Sequence, residues 1–113
     1  MIELKVDINA FDERTAGDLA LKRDLLACFE KEFVDLEKSL KDTSLAQDFA
    51  GMSSNLHKLK SSVGIFGLDN VTKFIENMEN RIACRDFSDN ADILAELLHS
   101  IREHIKELKK YIN

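Results

Sequence analysis

Not one proline interrupts this chain of 113 residues, and it holds only four glycines. These two residue types punctuate turns, and an all-β sandwich or barrel needs a turn about every 8–12 residues. Their scarcity leaves long helices joined by few connections as the fold class the sequence can support. The length is that of one domain, so residues 1–113 are expected to form a single unit. With 44% hydrophobic and 33% charged residues, the chain has the makings of a real core and a solvated exterior.

Composition also removes several function classes. A formal net charge of −5 argues against nucleic acid or an anionic membrane surface as partner, since both select basic patches. No run approaches the roughly 18–20 apolar residues that cross a bilayer. The opening MIELKVDINAFDE lacks a basic region followed by an apolar block, so it does not read as a secretory signal. Cys28 and Cys84 are too few and too far apart for a disulfide framework or a zinc site. These features together predict a cytoplasmic protein with reduced cysteines.

Hydrophobic periodicity places the helices. Ile2, Leu4, Val6 and Ile8 alternate as in a strand, but no later segment offers a partner, so an extended lead-in and a short helix around Phe11 to Ala16 are expected. Leu19, Leu26, Phe29, Phe33, Leu36 and Leu40 mark one face of a long helix over 18–41. The segment KDTS reads as a break, with Thr43 or Ser44 capping a second long helix over 45–66. There Phe49, Met52, Leu56, Leu59, Val63 and Phe66 recur at spacings of 3, 4, 3, 4 and 3, and Gly67 is a natural terminator. Asp69 is expected to cap a third helix over 70–85 that turns Val71, Phe74, Ile75, Met78 and Ile82 inward. After the break DFSDN, a fourth covers 90–111, with Ile93, Leu94, Leu97, Leu98, Ile101, Ile105 and Leu108 inward. The expected fold is all-α: an antiparallel up-down four-helix bundle with a short N-terminal extension or helix.

The second long helix carries the candidate site. At roughly 100° per residue, His57 falls roughly 130° from the centre of the core stripe and faces water. Ser53, Lys60, Ser61 and Gly64 stand at offsets −4, +3, +4 and +7 and share its face. Side chains on a helix tilt toward its N-terminus, which leans Lys60 and Ser61 back over the imidazole. An exposed histidine, with its ordinary pKa near about 6.5, is mostly neutral at physiological pH and can attack an electrophile such as a phosphoryl group. Lys60 would supply the counter-charge, and Ser61 a hydroxyl for the phosphate or the ring. Gly64 lowers helix stability by about 1 kcal/mol relative to alanine, which suits a place where a partner must come close. The bland alternative is an ordinary surface histidine beside a solubilising lysine and a loosened helix end. Ile65, roughly opposite the core arc, packs under the N-terminal segment or joins a docking patch. Glu30, Glu32 and Asp35 read as a solvated face.

The run HKLKSSVGIFG resembles the signature of histidine-containing phosphotransfer (HPt) domains. In that family the histidine is followed by leucine at +2, lysine at +3, small residues at +4 and +5, and often glycines at +7 and +10. Leu59, Lys60, Ser61, Ser62, Gly64 and Gly67 fill those places in turn, with Ser61 a small residue where glycine is commoner. The likeness extends over nearly the whole chain. It implies that His57 accepts a phosphoryl group from a receiver-domain aspartate and passes it to another receiver. Lys60 is then the electrostatic helper, and Ser61, Ser53 and Gly64 shape the docking face. It implies as partners response-regulator receiver domains and a hybrid sensor histidine kinase. It implies no cofactor or metal on this chain, because magnesium and the acid chemistry belong to the receiver. Such a chain is a phosphoryl carrier, expected to be a monomer, rather than an independent turnover enzyme.

Rival readings are weaker. A kinase dimerisation helix follows its histidine with an acidic residue and soon a proline, whereas Lys58 follows His57 and proline is missing. With no GxxxxGK[ST] phosphate cradle either, ATP-dependent autokinase activity is not expected. A di-iron bundle needs a Glu-x-x-His pair on each of two helices, and Glu96 to His99 is the lone match. His99 and His104 do not share a face. A helical interaction module that docks receiver or kinase domains without phosphotransfer is the alternative from another class, though such a relative would have no need of the histidine.

Overall fold

The computed structural model describes residues 2–86 and 88–112. Five helices occupy them: α1 (Ile8–Thr15), α2 (Leu19–Leu45), α3 (Phe49–Ile65), α4 (Asp69–Ala83) and α5 (Asn90–Ile112). Among the described residues there is no strand, and no helix is long and apolar enough to cross a membrane. The predicted break DFSDN includes Phe87, which lies outside the described residues.

Three helices begin with the same device, an aspartate just ahead of the first turn. Asp7 accepts from the Ala10 amide, Asp18 from Leu21 and Asp48 from Gly51, each satisfying one of the backbone donors a helix start leaves open. These caps correct several expected boundaries. Helix α1 starts three residues early, because Asp7 caps it. KDTS does not break α2. Thr43 instead donates its hydroxyl back to the Ser39 carbonyl at 2.8 Å, a bond that lets threonine stay inside a helix. Helix α2 is closed instead at Ala46 and Gln47, where Gln47 takes the left-handed conformation (φ 51°). The cap of α3 is therefore Asp48, not Thr43 or Ser44. Asp69 is the first residue of α4 rather than its cap, and Leu68 precedes it without a side-chain cap bond. Helix α4 ends at Ala83, short of the expected Arg85, which sits at φ 55°.

The core stripes fall largely where the periodicity puts them. Leu26, Phe29, Phe33, Leu36 and Leu40 of α2 face Met52, Leu56, Leu59 and Val63 of α3 and the apolar faces of α4 and α5. Leu19 is an exception, 43% exposed at the start of α2. Phe11 and Leu68, outside the expected stripes, are fully buried. The Phe11 and Phe29 rings flank Phe66 with centroids 5.0 and 5.3 Å away, a tilted arrangement that aromatic pairs favour.

Helix α2 packs on α3 and α5, α4 on α3 and α5, and α1 on α2. Polar contacts fix the α2–α5 seam along its length: Asn90 with Ser44, Arg102 with Glu37, Lys109 with Glu30 at 3.2 Å, and the Arg23 guanidinium with the Ile112 carbonyl at 3.0 Å. Ser62 of α3 donates to Glu32 of α2 at 3.3 Å. Glu30 and Glu32 thus bridge helices rather than only meeting solvent. The extended N-terminal arm lies across the other side. Its Lys5 amide reaches His104 of α5, its Asp7 amide donates to the Gly67 carbonyl at 3.1 Å, and Asn70 donates to the Glu3 carbonyl at 3.2 Å.

Candidate functional site: the outer face of helix α3

Four buried side chains, Met52, Leu56, Leu59 and Val63, press the inner stripe of α3 into the core, and the opposite face is thereby turned to water. His57 is exposed there, as are Ser53 and Ser61, with Lys60 and Gly64 half-buried. The sequence-predicted residues therefore do share one helix face, held at its start by Asp48 and at its end by Gly67. Gly67 adopts φ +68°, and an added methyl would stand 2.6 Å from the Asp7 carbonyl oxygen. Glycine is demanded at that position by the fold.

Gly64 differs. A methyl built on it would meet nothing within 4 Å among the described residues, so no packing among them asks for a glycine there. The surface one turn beyond Lys60 and Ser61 is flat and bare, with Ile65 beside it 38% exposed.

Two side chains take a course other than the expected one. The Ser61 hydroxyl donates to the His57 backbone carbonyl at 3.1 Å and not to the ring, the ordinary local choice of a helical serine. Lys60 sends its ammonium across to α4, where Nζ lies 2.8 Å from Glu79 Oε1. The hydrogen bond to Glu79 raises the lysine's pKa above its ordinary value, aided by the charges of Glu79 and Glu76. Lys60 is therefore a full cation at neutral pH. What the pair contributes to stability is complete below the ordinary lysine value and is lost only as pH climbs through the raised one.

Sequence reasoning weighs His104 only as a metal ligand beside His99 and misses its place in the core. His104 of α5 is fully buried, with Nδ1 2.7 Å from the Ser100 carbonyl and Nε2 3.1 Å from the Lys5 amide. A carbonyl only accepts and an amide N–H only donates, so the ring is neutral, with its proton on Nδ1. The signal was available: Leu97, Ile101, His104 and Leu108 recur at spacings of 4, 3 and 4, which puts this histidine on the core stripe. His99 is exposed. Among the described residues no group of three or more His, Cys, Asp or Glu could hold a metal ion, and Cys28 and Cys84 are exposed and unpaired with each other.

The arrangement offers an accessible imidazole on a rigid helix, a cation one turn along, and a bare surface beyond. That is enough to accept an electrophile delivered by another macromolecule, and it lacks the concave, water-excluding shape of a small-molecule site. No curated protein and no solved structure was found to match the chain. A family model, the Hpt domain, does match, over residues 21–111; its members perform histidine phosphotransfer in phosphorelays. With nearly all of α2 and the whole of α3 and α4 inside that match, and α5 all but complete, the chain belongs to the Hpt domain family.

Proposed function

We propose that this chain carries a phosphoryl group on His57 between aspartates of receiver domains in a two-component phosphorelay. The observation that carries the reading is the exposure of His57 on the outer face of α3, at the family's signature position. In the transfer, a ring nitrogen lone pair attacks phosphorus, an N–P bond forms, and the P–O bond to the receiver's aspartate breaks as the carboxylate leaves. The receiver supplies the metal and acid chemistry, so the imidazole is one substrate of machinery that the partner brings. Lys60 meets the incoming negative charge. A dianion facing one ammonium across roughly 6 Å of water-like medium gains about 1–1.5 kcal/mol.

Ser53, Ser61 and Gly64 form the docking face, and the bareness at Gly64 supports this, since no contact among the described residues accounts for it. Residues 1–113 work as one monomeric cytoplasmic unit, with α2 to α5 as an antiparallel four-helix bundle. Short loops and the paired ends of the α2–α5 seam, Ser44 with Asn90 and Arg23 with Ile112, support that packing. A hybrid sensor histidine kinase stands upstream, and transient contacts of modest area suit a relay.

The test incubates the protein with a phosphorylated receiver and follows the label. Acid-labile, alkali-stable label on the wild type and none on His57→Gln supports the carrier. A folded wild type that binds the receiver and stays unlabelled overturns it in favour of an inert docking module.

A further inference from the structure

We infer that Glu79 is a positioning residue that holds the Lys60 ammonium on α4 while His57 is bare and lowers the retention of a phosphoryl group once it arrives. The inference rests on His57 being the phosphoryl acceptor, and it concerns what sets the strength of that carrier.

Lys60 lies one turn from His57 on the same face, yet its Nζ is 2.8 Å from Glu79 Oε1. Both side chains are mostly covered, 30% and 21% exposed, which screens the pair less than a fully solvated one. Glu76, one turn earlier on α4, adds to the negative field at the ammonium. A phosphoryl group on His57 meets a lysine already engaged. If the ammonium swings to the phosphate, Glu79 loses its partner while a dianion arrives nearby. If the ammonium bridges both, carboxylate and phosphate oxygens share one nitrogen and lie no more than about 5–6 Å apart, two hydrogen-bond lengths. In either geometry like charges are brought together, and the phosphohistidine is destabilised relative to what Lys60 alone would give. A relay intermediate gains from this, because a group held too firmly is not handed on. Lys60 favours loading and Glu79 favours release.

Glu79→Gln tests this, because it keeps the size and the acceptor oxygen and removes the charge. Two readouts are taken on the variant. The first is the titration of the Lys60 ε-methylene by NMR, with midpoint above the ordinary lysine value in the wild type and returned toward it in the variant. The second is the equilibrium constant for phosphoryl exchange with a receiver. Removing one charge about 6 Å from a dianion, with salt screening, raises retention on His57 by about three- to tenfold. Without Lys60 no shared ammonium draws the carboxylate and the phosphate together, so in a Lys60→Ala background the same change has a smaller effect, which isolates the coupling. A merely structural clip would shift the melting temperature and leave the exchange constant alone. Lys60 titration that ignores Glu79→Gln, or an exchange constant that stays within twofold or falls, overturns the role of Glu79 while a labelled wild type leaves the carrier reading intact. An unlabelled wild-type His57 instead removes the carrier reading and this inference with it.

Discussion

His57 on α3 and His104 on α5 are the same side chain in two opposite settings. His57 stands in water on a face whose neighbours are small or flexible. His104 is sealed in the core, with both ring nitrogens engaged by backbone groups of Ser100 and Lys5. The contrast teaches what makes an imidazole a reagent. Its lone pair must be free at the pH of use, and a partner must reach it. A buried ring with both nitrogens occupied is a neutral bolt, whereas an exposed one keeps its chemistry at little expense to the fold.

Exchanging the demands on the two rings breaks the comparison most severely. His57→Gln is expected to lose all phosphoryl label while its unfolding free energy, from a urea melt, stays within about 0.5 kcal/mol of the wild type, as for a surface substitution. His104→Ala should do the reverse. It is expected to lower stability by about 2–4 kcal/mol in a urea melt, through a cavity and an unsatisfied Lys5 amide, and to transfer phosphate normally where it remains folded. If the His104 variant melts like the wild type, the distinction drawn between the two rings fails. Lys60→Ala sharpens the α3 side of the contrast: transfer to His57 slows by about tenfold, read by the rate of label transfer, because one ammonium across water-like medium supplies about that much. Equal and complete loss in a folded Lys60 variant would show the lysine to be more than an electrostatic helper. The smallest effect belongs to Gly64→Ala. It should leave stability unchanged or raise it by up to about 1 kcal/mol, and weaken receiver binding measured by calorimetry. Unaltered binding would mean that the bare patch is not touched.

Much of this arrangement is legible in the residues alone, because core stripes at spacings of three and four survive any detail of packing. The outer face of α3 follows from the same arithmetic, which is why His57, Ser53, Ser61 and Gly64 lie together on it as their spacing predicts. The α2–α3 junction was not readable from KDTS, since threonine serves equally well as a cap or as an internal residue bonded back to the preceding turn. Only the backbone decides between Thr43 and Asp48. The destination of Lys60 was hidden for another reason. A lysine stem reaches either along its own helix or across to the next, and Glu79 becomes the nearer anion only once α4 is docked. The N-terminal arm was least legible, for its Lys5 contact spans 99 positions of sequence.

That arm has a mechanical consequence. The carbonyl of Gly67, which closes the helix bearing His57, is held by Asp7, and two residues upstream the same segment is moored to the ring of His104. The opening residues therefore act as a guy-line between the far end of the reactive helix and the last helix of the chain. Loss of the His104 ring would free the arm at Lys5 and leave the Asp7 tie to Gly67 in place, so the cost falls on the last helix and not on the one that offers the imidazole.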